Sequence, residues 1–242
     1  LKRRVPAHFL RPHGAQIAEM TTLVHEIDYI EKPTALEALI LEANLIKKYK
    51  PYYNTKEKDD KSFNYVCFTK DELSKLVVRR SKELTLEKLS DEKGTKFSVC
   101  YGPYTSGSAL REALTIIRKI FPYLDEKSRV KGRYEFYRQL GLVPDITHEE
   151  GVIEYKKMIR HLKLFFDGKK SVLIRSLQKE MKSYAKRLEF ERADAAKRMI
   201  FALTHIRDVS LIKQENISEK NLCRNNLDPI LFRNHRNFLF VF

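Results

Sequence analysis

Between Thr34 and Lys50 apolar residues return every three or four positions, which predicts a helix. Thr34 and Glu37 supply a Thr-x-x-Glu capping box at its start, and Pro51 stops it. The pattern then turns β-branched and aromatic from Phe63 to Phe68. "KLVVRR" at 75–80 reads as a second strand and, after a polar loop at 81–96, Phe97 to Tyr101 as a third. The loop "YGPYTSGS" leads into "ALREALTIIRKIFP", where Leu110, Leu114, Ile117 and Phe121 recur at helical spacing until Pro122 ends the run. Periodicity weakens over 123–146, and a further helix is expected from Glu149 to Phe166, closed by Asp167-Gly168.

Two more stripes follow: Leu173, Leu177, Met181, Tyr184 and Leu188, then Ala193, Ala196, Ile200 and Leu203. Joined by a short turn near Glu189, they predict an antiparallel helical hairpin. Two such helices cannot enclose their own apolar face, so a second helical pair is expected to pack on them, and the hairpin reads as a docking module or part of a bundle. Beyond about Ile212 the pattern dissolves, and 207–242 reads as a linker or irregular tail. The fold class is α/β in the α+β sense: a small mixed unit followed by a helical hairpin.

One residue sits awkwardly in this pattern. On the 34–50 helix the neighbours of Glu42 at three, four and seven positions are Ala35, Ala38, Leu39, Leu45, Ile46 and Tyr49, all apolar or aromatic. An ionised carboxylate on such a face must be paired, solvated in a cleft or bound to a cation, because burying it alone costs several kcal/mol. An ion pair with a distant Lys or Arg and a metal site both remain open at this level. Glu37 caps the helix and lies about 140° away around it, so the two do not form a paired-carboxylate acid/base site.

Charge narrows the choice. Of 242 residues, 47 are Lys or Arg and 32 Asp or Glu, a formal charge of +15, with 43% hydrophobic residues to build cores. A field of that sign favours a polyanion, nucleic acid first. No run approaches the roughly 18 uncharged apolar residues of a membrane span and no signal-peptide pattern opens the chain, so a cytoplasmic protein is expected. Cys67, Cys100 and Cys223 lie far apart without a C-x-x-C pair and read as buried, unpaired thiols. Arg4, His8, Glu42 and Asn54 in so basic a chain would suit phosphodiester hydrolysis: a hard divalent cation on the carboxylate, an arginine on phosphate oxygens and an imidazole nearby.

"LKRRVPAHF", "EALILEANLIKKYKPYYN", "KDDKSFNYV", "YGPYTSGSALREALTIIRKIFP" and "LEFERADAAKRMI", in that order, resemble the UvrC family, the excinuclease component of bacterial nucleotide excision repair. The resemblance covers roughly 1–210. It implies that 1–58 is the later part of a GIY-YIG nuclease domain, 59–168 a middle α/β region and 169–206 a UVR hairpin. It implies incision of damaged double-stranded DNA 3′ to a lesion, with Arg4, His8, Glu42 and Asn54 as catalytic residues and Glu42 holding Mg2+ or Mn2+. His8 stands where the family more often has tyrosine.

The family's GIY and YIG strands would precede Leu1, which opens the chain inside a basic run, so a fragment unable to cut DNA alone is expected. Relatives often carry four cluster-binding cysteines at 123–146. This chain has none there, and no iron–sulfur cluster is expected. The hairpin's expected partner is UvrB, through Leu188, Phe190, Ala193 and Ile200, with Phe190 as the anchor. Lys47, Lys48, Lys50, Lys56, Lys58 and Lys61 are the candidate DNA-binding residues, a solvated face being the plainer reading. Two alternatives remain: a non-catalytic adaptor for DNA and UvrB, and a stand-alone GIY-YIG nuclease.

Overall fold

Thr34 begins the helix that organises the first part of the chain: extended at φ −139°, it accepts a hydrogen bond on Oγ1 from the Glu37 amide at 3.1 Å. In the computed structural model, which describes residues 9–10, 15–56, 63–128, 133–205, 230–234 and 237–241, the chain forms two compact units. The first comprises Leu1–Cys67, Val78–Leu110 and Asn221–Phe242, and the second Phe68–Val77 and Arg111–Lys220.

In the first unit, α1 (Ala15–Leu23) and β1 (Glu26–Tyr29) lead to α2 (Ala35–Tyr49) and the short α3 (Tyr52–Lys56). Helix α2 ends at Lys50, which takes the left-handed conformation at φ 45° and donates its amide to the Ile46 carbonyl; Pro51 then prevents continuation. Strands β2 (Asn64–Thr69), β3 (Leu76–Arg80) and β6 (Phe97–Tyr104) form a sheet in the order β3-β2-β6, and β4 (Leu84–Thr85) pairs with β5 (Ser90–Asp91) as a separate ribbon. Buried Asp91 on that ribbon accepts from Arg79 Nε at 2.9 Å and from the Lys93 and Thr95 amides, which fixes the polar loop as a compact turn. β6 runs to Tyr104, three residues beyond the expected strand, because Tyr101 and Tyr104 both bury their rings.

At Gly102 the backbone has φ 144°, and a Cβ there would stand 2.7 Å from the Tyr65 ring and 3.0 Å from the Asn64 carbonyl oxygen, so only glycine lets β6 lie this close to β2. Cys67 and Cys100 occupy these neighbouring strands and are joined as a disulfide. They are buried as expected, but the expectation of unpaired thiols is corrected. Their 33-residue separation carries no sign of a pairing that strand order creates. The tail is corrected as well: β7 (Ile230–Asn234) and β8 (Asn237–Val241) form an antiparallel pair, and β7 pairs with β1 from Glu26↔Arg233 to Tyr29↔Ile230. "ILFRN" and "NFLFV" are rich in strand formers, and their partner β1 is distant in sequence.

α4 (Gly107–Ile120) begins in the first unit and continues into the second, which holds α5 (Arg133–Gln139), α6 (Glu149–Phe166), α7 (Lys170–Lys186) and α8 (Phe190–Thr204). Its core gathers Phe68, Phe121, Phe165 and Phe166, with ring centroids 5.8–6.3 Å apart in tilted or edge-to-face pairs. Buried Tyr155 ties three segments together: its hydroxyl donates to the Ser74 carbonyl and accepts from the Leu124 amide at 3.2 Å, while the Leu76 amide donates to Leu124 at 2.8 Å. The segment at 123–128 is organised by Asp125, which accepts from the Lys127 and Ser128 amides and from Arg118.

The hairpin forms as expected from α7 and α8, but its support differs. In place of a second helical pair, the single helix α6 lies against α7, where Leu173, Leu177 and Tyr184 are buried. Polar contacts fasten this seam: Lys157 Nζ to the Tyr184 hydroxyl at 3.0 Å, that hydroxyl to Glu154 at 3.1 Å, and buried His161 Nε2 to Glu180 at 2.9 Å. The His161 hydrogen bond holds the Glu180 carboxyl below its ordinary pKa of 4.5. Its contribution is therefore full above that value and disappears as pH falls through the lowered pKa. His161→Ala is expected to cost about 1–3 kcal/mol at pH 7 in urea unfolding, with the gap from wild type closing at acid pH. An equal gap at neutral and at strongly acid pH would mean that the His161–Glu180 contact contributes nothing.

Candidate active site and docking face

The buried side chains of α2 are Leu36, Ala38, Leu39, Ile40, Ala43 and Ile46. Apart from Ala38 they centre on Ala43, one residue and so about 100° around the helix from Glu42. Ala35 and Tyr49, read from spacing as part of an apolar surround, are exposed. Glu42 therefore lies half-buried on the flank of the stripe, not at its centre. The problem posed by its neighbours is solved partly by position and partly by a hydrogen bond: Thr105 Oγ1 donates to Glu42 Oε1 at 3.0 Å.

Thr105 follows β6 directly, and β6 runs beside α2. Five residues further along α2, Lys47 Nζ donates to the Cys100 carbonyl at 3.4 Å, so helix and strand touch through polar groups at two points in antiparallel sense. Tyr104, buried next to Thr105, has its hydroxyl pKa pushed up by burial. Ser106 caps α4 by accepting from the Ala109 amide at 3.3 Å. Thr105 is thus held between a buried strand end and a capped helix start. Its role is not legible in the sequence, where "YGPYTSGS" is only a connection: no spacing rule relates positions 42 and 105.

Asn54 lies on α3, buried beside Tyr53, with its backbone N–H donating to the Pro51 carbonyl at 3.1 Å. Arg4 and His8 lie outside the described residues, as do Lys58 and Lys61. Lys47, Lys48 and Lys50 are exposed around the end of α2, with Lys48 Nζ 4.8 Å from the Tyr49 ring centroid, and Lys56 ends α3. Among the described residues no group of three or more His, Cys, Asp or Glu side chains could hold a metal ion. The Glu42 carboxylate is an oxygen donor, the kind that fits a hard ion which keeps most of its water.

On the hairpin, Leu188 and Phe190 are 73% and 65% exposed at the α7–α8 turn, while Ala193 and Ile200 are half-buried. Phe201, 63% exposed and stacked on His205 with ring centroids 4.1 Å apart, joins them. It lies eleven positions from Phe190, close to three full turns, and so falls on the same face of α8. That spacing is legible in the sequence, but the stripe Ala193–Leu203 draws attention to the buried side. Leu188 is also left-handed, at φ 61°, a conformation that costs a leucine roughly 1–2 kcal/mol. No described helix is long and apolar enough to cross a membrane.

Residues 1–55 match the family described as UvrC-like GIY-YIG domain, and residues 171–204 match the UvrB/uvrC motif. The UvrABC system protein C of Caldanaerobacter subterraneus subsp. tengcongensis is 34% identical over 230 residues, 92% of this chain and 36% of that relative. Its counterparts in Acetivibrio thermocellus, at 36% over 231 residues, and Trichormus variabilis, at 35% over 199, cover 90% and 79% of the chain. The chain spans about a third of the length of these relatives, 36%, 34% and 30% respectively. No solved structure matches.

Leu188→Gly removes an exposed side chain from a left-handed turn, and is expected to raise stability by about 1 kcal/mol in urea unfolding. A fall in stability would show that the leucine packs within the hairpin.

Proposed function

Because this chain belongs to the UvrC family, we propose that it serves the incision step of bacterial nucleotide excision repair, the metal-dependent hydrolysis of a DNA phosphodiester 3′ to a lesion. The observation that carries this reading is Glu42: a half-buried carboxylate with a hydroxyl donor on one oxygen, within the segment that matches the nuclease domain. Glu42 would hold Mg2+ or Mn2+. When bound, the ion would act as a Lewis acid on a phosphoryl oxygen and favour a hydroxide nucleophile.

The chain's own residues then divide the remaining tasks. The Arg4 guanidinium would bind non-bridging phosphate oxygens and offset the charge that develops there. His8 would hold or pass a proton beside the scissile bond, and buried Asn54 would order the end of the site. Lys47, Lys48, Lys50, Lys56, Lys58 and Lys61 would contact the DNA backbone, giving affinity that falls steeply with salt and carries no sequence preference.

The hairpin supports a docking role. Leu188 and Phe190 present apolar surface at the turn, Phe201 extends it, and the α6 seam covers Leu173, Leu177 and Tyr184 of α7 instead. A matching helical pair on UvrB is the expected partner, and the strained Leu188 turn accords with a residue kept for contact and not for fold stability.

In incision assays with the full protein and the other proteins of the system, Glu42→Ala is expected to lower 3′ incision by about a hundredfold or more in Mg2+. Undiminished cutting would refute the metal role. Phe190→Ala is expected to weaken UvrB binding by about 2 kcal/mol, read as a rise in Kd. An unchanged Kd would remove Phe190 from the interface.

A further inference from the structure

We infer that helix α5 carries a stacking ledge for the unpaired bases of single-stranded DNA, with Phe136 as the ring on which a base lies and Arg133 beside it for the backbone. The inference involves no residue of the first unit and does not rest on the metal reading of Glu42.

The first support is the division of the helix into two sides. Arg133, Phe136, Tyr137 and Leu140 follow one another at helical spacing and so share a face. Phe136 is 58% and Leu140 55% exposed, Arg133 is exposed, and the Phe136 and Tyr137 ring centroids stand 5.8 Å apart. None of the helix's seven side chains is buried, so this apolar surface does not serve the core of the unit.

The second support is that the other side is fastened. The Tyr134 hydroxyl donates to the Pro144 carbonyl at 2.9 Å and accepts from the Ile146 amide at 3.0 Å. Arg138 pairs with Asp145 at 2.8 Å and with Glu135 at 2.6 Å. Asp145, on the connection that follows, lies so close to α6 that a Cβ on Gly151 would collide with its carbonyl oxygen. Phe136 therefore stands on a helix held at its opposite side.

Charge selects the occupant. From Lys127 to Arg138 the sequence holds five basic residues and one acidic, Glu135, whose carboxylate is bonded to Arg138. Cations beside exposed flat rings match a polyanion that also carries flat apolar faces. Single-stranded nucleic acid is such a ligand: its phosphates meet the cations while its bases stack on the rings. A duplex keeps its bases stacked on one another and offers them to Phe136 only at its ends.

The chain contains no tryptophan, so Phe136→Trp places a single fluorescent reporter on the ledge. At fixed ionic strength, a single-stranded oligothymidylate is expected to quench that tryptophan in the 242-residue variant. A duplex of the same length, and inorganic polyphosphate, which offers charge without bases, are expected to leave it bright. In anisotropy titrations of the labelled oligothymidylate, Phe136→Ala and Phe136→Leu are both expected to raise Kd roughly 5- to 150-fold, the range for losing one base stack, and Phe136→Trp to keep it near wild type. Urea midpoints should not move, because residue 136 is exposed. An unquenched tryptophan, or an unchanged Kd in Phe136→Ala, overturns the inference. So does equal quenching by duplex or polyphosphate, which would make the ledge a site for charge alone. Wild-type affinity in Phe136→Leu overturns it too, since an aliphatic side chain would then suffice, as in an apolar contact with a protein partner.

Discussion

The first unit depends on the seam where helix α2 lies along strand β6. The helix buries Leu36, Leu39, Ile40, Ala43 and Ile46, and the strand buries Phe97 and Tyr101 on one face and Cys100 and Tyr104 on the other. Apolar burial supplies the attraction without direction. The two polar contacts, Glu42 with Thr105 and Lys47 with the Cys100 carbonyl, fix the register. A slide of one helical turn, about 5.4 Å, would preserve much of the burial and lose both contacts. The candidate chemistry is thus placed by the same few atoms that choose among similar packings.

The second unit uses a different device. Its hairpin carries apolar side chains on more than one face, and α6 covers only part of them, burying Leu173, Leu177 and Tyr184 while Leu188, Phe190 and Phe201 face solvent. The covered side is held by directional groups, His161 with Glu180 and Lys157 with Tyr184 and Glu154. Such groups are directional and so disfavour rotation of α7 about its axis.

Local features are the most legible in the sequence. The Thr34 cap, the stop at Pro51, the extent Glu149–Phe166 and the helical hairpin all follow from residues within a turn or two of one another, and the structure places them where the pattern does. What the pattern hides depends on contacts between distant segments. β7 and β8 acquire meaning only beside β1, the two cysteines only on adjacent strands, and Glu42 looks central only because Ala35 and Tyr49 count as apolar in a pattern although both are exposed. Thr105 cannot be found by any helical or strand period, since its link to Glu42 spans 63 positions.

Gly102 gives the seam a further consequence. Its missing Cβ permits the approach of β6 to Tyr65 and Asn64, three residues before Thr105. An allele that placed any side chain at 102 would displace the strand end without touching a charged group, a lysine or the helix that bears Glu42. In a genetic screen it would score with the folding-defective class, yet part of its defect would be a hydroxyl carried out of reach of its carboxylate. The geometry of this site therefore depends on a position with no chemistry of its own.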